Sequence, residues 1–197
     1  ALKRASTMDD LLAMHTEHRE AFNHIHLCAF WSRAGRLGRN WRVDASRAAC
    51  DLEPMLKDTV QMCSDGDYGC RQLTGTAHGL ASGGFGRIEP LAPLWQAISE
   101  ATLDQLRDYS PREVATTAWS YAKVGLGGEY PALFTSLALE AHDRLEEYTP
   151  QGLANLAWAF AKAEHAAPAL FAQLERELMR RDRLADFSAA ELVSSSW

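Results

Sequence analysis

Trp119, Trp158 and Trp197 stand 39 and 39 residues apart. The stretch "YSPREVATTAWSYAKVG" from Tyr109 lies over "YTPQGLANLAWAFAKAE" from Tyr148, with Tyr, Pro, Ala, Ala-Trp and Ala-Lys coincident. At the same offset follows "FSAAELVSSSW", from Phe187 to Trp197. Going back, "YGCRQLTGTAHGLASG" from Tyr68 fits with an offset of 41 and puts His78 where the Trp stands. Earlier still, "HLCAFWSRAG" resembles "TTAWSYAKVG", with Trp31-Ser32 over Trp119-Ser120. A period of this size marks a chain built from one recurring supersecondary unit.

Each clear unit reads as helix–turn–helix. Ser110-Pro111 and Thr149-Pro150 are an N-cap followed by Pro at the first helical position. The first helix ends at the breaker cluster around Gly125 in one unit and near "EHAAP" in the next. The second helix starts around Pro131 or Pro168, and its Leu/Phe spacing suits an apolar stripe. No segment has sustained strand alternation. Two such helices cannot bury their apolar faces alone, and stacking makes a continuous core. The expected fold is all-α, an α-solenoid of about five helix–turn–helix repeats of ~39 residues. Residues 1–51 are expected to be a degenerate N-terminal repeat region, and 52–197 the repeats proper. The chain begins at Ala1 and its last unit stops at Trp197, so it is expected to be either processed or a piece of a longer repeat protein.

The net charge of −6 argues against a general polyanion binder, which depends on clustered Lys and Arg. The charge is uneven, however. Residues 1–50 hold 8 Lys/Arg and 5 Asp/Glu, a balance of +3, and residues 51–197 hold 12 against 21, a balance of −9. A local basic stripe is therefore compatible with the whole. No stretch approaches the ~18 apolar residues of a membrane span.

At "PQGLANLAWAFAK" the chain resembles the octotricopeptide repeat family, whose units carry a Leu-Ala-x-x-x-Trp-Ala-x-Ala-Lys core. Leu153-Ala154, Trp158-Ala159 and Ala161-Lys162 match throughout. Trp119, Ala122 and Lys123 match in the preceding unit, where Ser120 replaces the Ala after Trp. The likeness covers about Tyr68 to Trp197. It implies a protein of the chloroplast or mitochondrion that binds organellar RNA and assists its processing, stability or translation. Relatives also serve as built-in parts of organellar complexes. This chain departs from the pattern in being acidic overall and in lacking an attached catalytic or RNA-cleaving domain.

With Gln151 at zero and 100° per residue, Leu153, Leu156, Ala157 and Phe160 fall between about 140° and 240°, the core face. Gln151, Asn155, Trp158 and Lys162 fall within about 40° of zero on the other side. Arg112, Thr116, Trp119 and Lys123 make the same line in the preceding unit, and Arg71, Gly75, His78 and Ser82 in the one before. The final unit offers Ala190, Ser194 and Trp197. Trp and Lys recur along the stripe, while the positions of Arg71/Arg112/Gln151 and Thr116/Asn155 vary. That layout suits a modular reader of single-stranded RNA, with constant residues for stacking and phosphate and changing ones for base edges. Two roles stay open to the Trp: stacking a base, or filling the seam between neighbouring first helices, which is the commoner use of a large repeated residue. The recurring Lys also suits the end of a helix as a solvated charge.

Other chemistry is thin. The four cysteines, Cys28, Cys50, Cys63 and Cys70, form no C-x-x-C and read as reduced thiols in packed positions. His15, His18, His24 and His26 read as exposed polar surface or partner contacts. The alternative is a zinc site built on His15 and His18, for which Cys28 is a further candidate ligand. "ASGGFGR", Ala81–Arg87, lacks the Gly-Lys-Ser/Thr ending of a phosphate loop and reads as a connector. No catalytic arrangement stands out, so neither an enzyme nor a cofactor, a metal or a small-molecule substrate is expected. Two functions follow: a non-catalytic RNA-binding module, or a scaffold subunit contacting protein neighbours in an organellar ribosome or a photosynthetic or respiratory complex.

Overall fold

A computed structural model describes residues 2–38, 41, 45–85 and 88–180. The third copy of the motif, Phe187 to Trp197 with Ala190 and Ser194, lies outside the described residues. Among those described the chain is helical, with no strand. The helices are α1 (Met8–His18), α2 (His24–Leu37), α3 (Ala45–Ser64), α4 (Cys70–Gly83), α5 (Ala92–Gln105), α6 (Pro111–Lys123), α7 (Pro131–His142), α8 (Pro150–Lys162) and α9 (Pro168–Leu178). No described helix is long and apolar enough to cross a membrane. The chain forms two compact units, Ala1–Asp104 and Gln105–Trp197. The division expected after residue 51 falls inside α3.

The described residues of the Gln105–Trp197 unit form two successive helical hairpins. α6 packs on α8, α7 on α9, and each hairpin closes on itself, α6 with α7 and α8 with α9. α6 and α8 therefore form one layer and α7 and α9 the other. The contact face follows the apolar spacing. Val114, Thr117, Ala118 and Tyr121 are fully buried on α6, as are Leu153, Leu156 and Phe160 on α8, with Ala157 beside them. Each large apolar side chain so buried contributes about 1.5–3 kcal/mol.

The helix starts are as the sequence predicts. The Ser110 hydroxyl accepts from the Glu113 backbone N–H at 3.4 Å, and the Glu113 carboxylate accepts from the Ser110 N–H at 2.9 Å. This is a reciprocal capping box. Thr149 Oγ1 accepts from the Gly152 N–H at 3.2 Å. The Tyr that opens each unit precedes the cap, and Tyr109 and Tyr148 are both buried there. α6 stops where Gly125 takes φ +78°. α8 stops at Glu164, a non-glycine residue at φ +53°. The turn after α6 lies close against the end of α8: a Cβ added at Gly127 would collide with Ala163.

In the Ala1–Asp104 unit α2 lies directly against α4. Glycines set this distance, since a Cβ at Gly35 would strike the Gly79 carbonyl, and one at Gly79 would strike the Trp31 carbonyl. A Cβ at Gly75 would come within 2.9 Å of the Cys28 sulfur. Gly75, Gly79 and Gly83 are four apart, which puts them on one ridge of α4.

Burial corrects the alignment of Trp31 on Trp119. Leu27, Phe30, Trp31 and Ala34 are the fully buried residues of α2, with the spacing of Val114, Thr117, Ala118 and Tyr121 on α6. Trp31 thus corresponds to Ala118, and Ser32 stands at the Trp119 position. The Trp31 Nε1–H donates to Thr59 Oγ1 at 2.9 Å, and the Thr59 hydroxyl donates to the Met55 carbonyl at 2.6 Å. A buried indole needs such a partner. This one ties α2 to α3.

The other sequence expectations for this unit are partly overturned. His15 is not surface; it is 1% exposed. Its Nε2 donates to Asp58 Oδ2 at 3.1 Å, while Arg19 donates to both Asp58 oxygens at 2.9 and 2.6 Å. Phe22 and Phe30 meet the imidazole edge-on. His18 and His26 are exposed, and His24 is half-buried. Among the cysteines Cys63 is buried and its thiol is pushed up to about 12 by desolvation, whereas Cys50 is exposed rather than packed. Of the Gly cluster, Ala81 to Gly83 still belong to α4, and the turn begins at Gly84 with φ +78°.

Candidate nucleic-acid interface

The line Arg112–Thr116–Trp119–Lys123 runs along α6, and Gln151–Asn155–Trp158–Lys162 along α8. Both lines lie off the core face. In each, the first and last residues are exposed, and the two between them are half-buried. The lines adjoin, because the indole rings of Trp119 and Trp158 meet with centroids 6.2 Å apart and planes tilted by 36°. That contact fills the seam between α6 and α8 and leaves part of each ring accessible.

Lys123 and Lys162 are the last residues of their helices, where a cation complements the helix dipole. The Lys123 ammonium also sits 5.8 Å from the centre of the Trp119 ring, within cation–π range. Arg112, Lys123 and Lys162 give the paired lines three cations and no acid. Among the described residues, acidic side chains of this unit are paired on and after α7. Glu140 and Glu147 are engaged by Arg144, which donates to them at 2.9 Å each and to the Tyr109 carbonyl at 3.0 Å. That network holds the Arg144 guanidinium above its usual range and Glu147 below the usual carboxylate range.

Arg71 and His78 belong to the Ala1–Asp104 unit, where both are exposed on α4. The Ser82 hydroxyl lies 3.5 Å from His78 Nε2. Burial pushes the Cys28 thiol up; hydrogen bonds to Thr76 and Ser32 and the nearby Arg71 charge oppose that shift. Ser32, at the position of the repeated Trp on α2, was not legible as such, because the Trp-Ser identity of the letters outweighed the apolar spacing. Among the described residues no three His, Cys, Asp or Glu side chains cluster as a metal site. No protein-family model matches the chain, and no curated protein matches it.

Proposed function

We propose that this chain is a non-catalytic helical-repeat module of octotricopeptide type that binds single-stranded RNA in a chloroplast or mitochondrion and serves its processing, stability or translation. On this reading the chain is an α-solenoid of about five helix pairs of ~39 residues. The observation that carries it is the pair of adjoining lines on α6 and α8. They combine three cations, two half-exposed indoles and the variable pairs Arg112/Thr116 and Gln151/Asn155 on one side of one layer. Arg71 and His78 supply the same positions on α4.

A scaffold subunit of an organellar complex is the competing reading. The net charge of −6 favours it, because RNA binding draws on clustered Lys and Arg and the paired lines hold three cations.

The separating experiment is a salt titration of single-stranded RNA binding. Replacing Lys123 and Lys162 together by Ala should weaken binding equally for all sequences and lower the salt slope by ~2 contacts. An unchanged slope, or no RNA binding by the parent chain, gives the reading to the scaffold.

A further inference from the structure

Charge is segregated along this chain. Residues 21–43 and 68–88 contain no acid and six arginines, a balance of +6. The rest of the chain holds 14 Lys/Arg against 26 Asp/Glu, a balance of −12. The two acid-free segments contain α2 and α4, and the fold lays these helices directly against each other. A chain that is acidic as a whole thus builds one helix pair with no carboxylate on it.

The two helices run parallel, because Gly75 meets Cys28, Gly79 meets Trp31 and Gly83 meets Gly35. At 100° per residue the glycines form the ridge of α4 that faces α2. Leu73, Ala77 and Leu80, all fully buried, lie to one side of that ridge, and Arg71, His78 and Ser82 lie to the other. On α2 the arrangement is mirrored: Leu27, Phe30 and Ala34 are buried on one side of the contact, and Ser32 and Arg36 stand on the other. Arg36, Arg71 and His78 are exposed, and Ser32 and Ser82 are half-buried. Both sets flank the same seam, since the Cys28 thiol beside Gly75 is hydrogen-bonded to Ser32 and feels the Arg71 charge.

We infer that this face of α2 and α4 holds the sugar–phosphate backbone of a single-stranded RNA without reading its bases, a role that rests on the RNA reading given above. Its groups are guanidinium and hydroxyl donors, which suit phosphate oxygens. Arg36 follows Gly35, which lies at Gly79 and Gly83, so it stands roughly 12–18 Å along α4 from Arg71 at 1.5 Å per residue. One phosphate cannot touch both, and a strand can. The equipment for base contacts is missing on this face. Ser32 takes the place of the repeated Trp, and Gly75, with no side chain, takes the variable position of Thr116 and Asn155.

The test uses the 197-residue chain and labelled oligo(A), oligo(U) and oligo(C) of one length, titrated over a range of salt. Arg36→Gln with Arg71→Gln should weaken all three by the same factor. It should lower the salt slope by about 1.4, or ~0.7 for each phosphate contact on a single strand. Arg36→Lys with Arg71→Lys keeps both charges and should keep the slope. Neither pair should alter the helix content, since both positions are exposed. An unchanged slope in the Gln pair, or a Lys pair that loses slope as the Gln pair does, overturns the inference and leaves the reading of α6 and α8 standing. Unequal weakening of the three oligomers also overturns it, by making this face a reader of bases. Failure of the parent chain to bind any of the three overturns it as well, and failure with a randomised RNA pool besides takes the RNA reading with it.

Discussion

Gly35 of α2 and Gly79 of α4 meet backbone to backbone, with no room for a methyl group on either. Gly79→Ala has to push α2 away from α4 and open the core around Trp31. Overpacking of this kind costs about 1–3 kcal/mol. Gly128, where an added Cβ meets nothing within 4 Å, is the control. Urea unfolding should show a lower midpoint for Gly79→Ala and almost none of that loss for Gly128→Ala.

His15 makes the Ala1–Asp104 unit acid-sensitive. Burial holds its folded pKa below the ordinary 6.5, outweighing the Asp58 carboxylate. The unfolded chain therefore takes up a proton first as the pH falls through 6.5, and stability declines from there down to the folded value. Asp58 adds a second loss lower down. Its pKa is held below 3.8, chiefly by the Arg19 hydrogen bond, so its contribution is present above 3.8 and goes as the pH falls through the folded value. Thermal melts should drop across the first window in the parent chain. His15→Gln should flatten that window, start about 1–3 kcal/mol less stable from the lost buried contact, and retain the drop at lower pH.

Gln151 and Asn155 test the RNA reading at its variable positions. Both lie off the core face of α8, so replacing them with Ala should leave the circular dichroism unchanged. If they contact base edges, the preferred sequence should shift, at about 1–3 kcal/mol per lost base contact. A binding-selection experiment on randomised RNA measures this directly. An unaltered preference removes these two residues from the interface.

The cap of α6 has a measurable worth. Ser110→Ala removes the hydroxyl that accepts from the Glu113 N–H and should cost about 1 kcal/mol. Glu113→Gln keeps the side-chain acceptor and should cost less. Chemical denaturation of both variants checks the order.

The local structure of the Gln105–Trp197 unit was readable because its signals are short-range. A Ser or Thr followed by Pro starts a helix, Gly125 ends one, and Leu153, Leu156 and Phe160 mark the buried side. What escaped was either a competing local signal or a long-range partner. Trp31-Ser32 matched Trp119-Ser120 as letters, although Leu27, Phe30 and Ala34 already marked Trp31 as core. The ridge of Gly75, Gly79 and Gly83 was present in the sequence, but its meaning depended on which helix came to lie against it. His15 and Asp58 are 43 residues apart, and nothing in the spacing of either announces the other. For the stripe, the sequence supplied the line of residues on each helix. That Trp119 would touch Trp158 depended on how α6 and α8 pack side by side.

The same indole pair has an optical consequence. Two like chromophores, 6.2 Å apart and inclined at 36°, do not absorb independently. Their transitions mix, and the handed arrangement gives the mixture a paired positive and negative signal in polarised light. That signal belongs to the spacing of α6 and α8 and to neither residue alone. The chain thus carries an unlabelled gauge of that spacing, which records any ligand that wedges the two helices apart or draws them together.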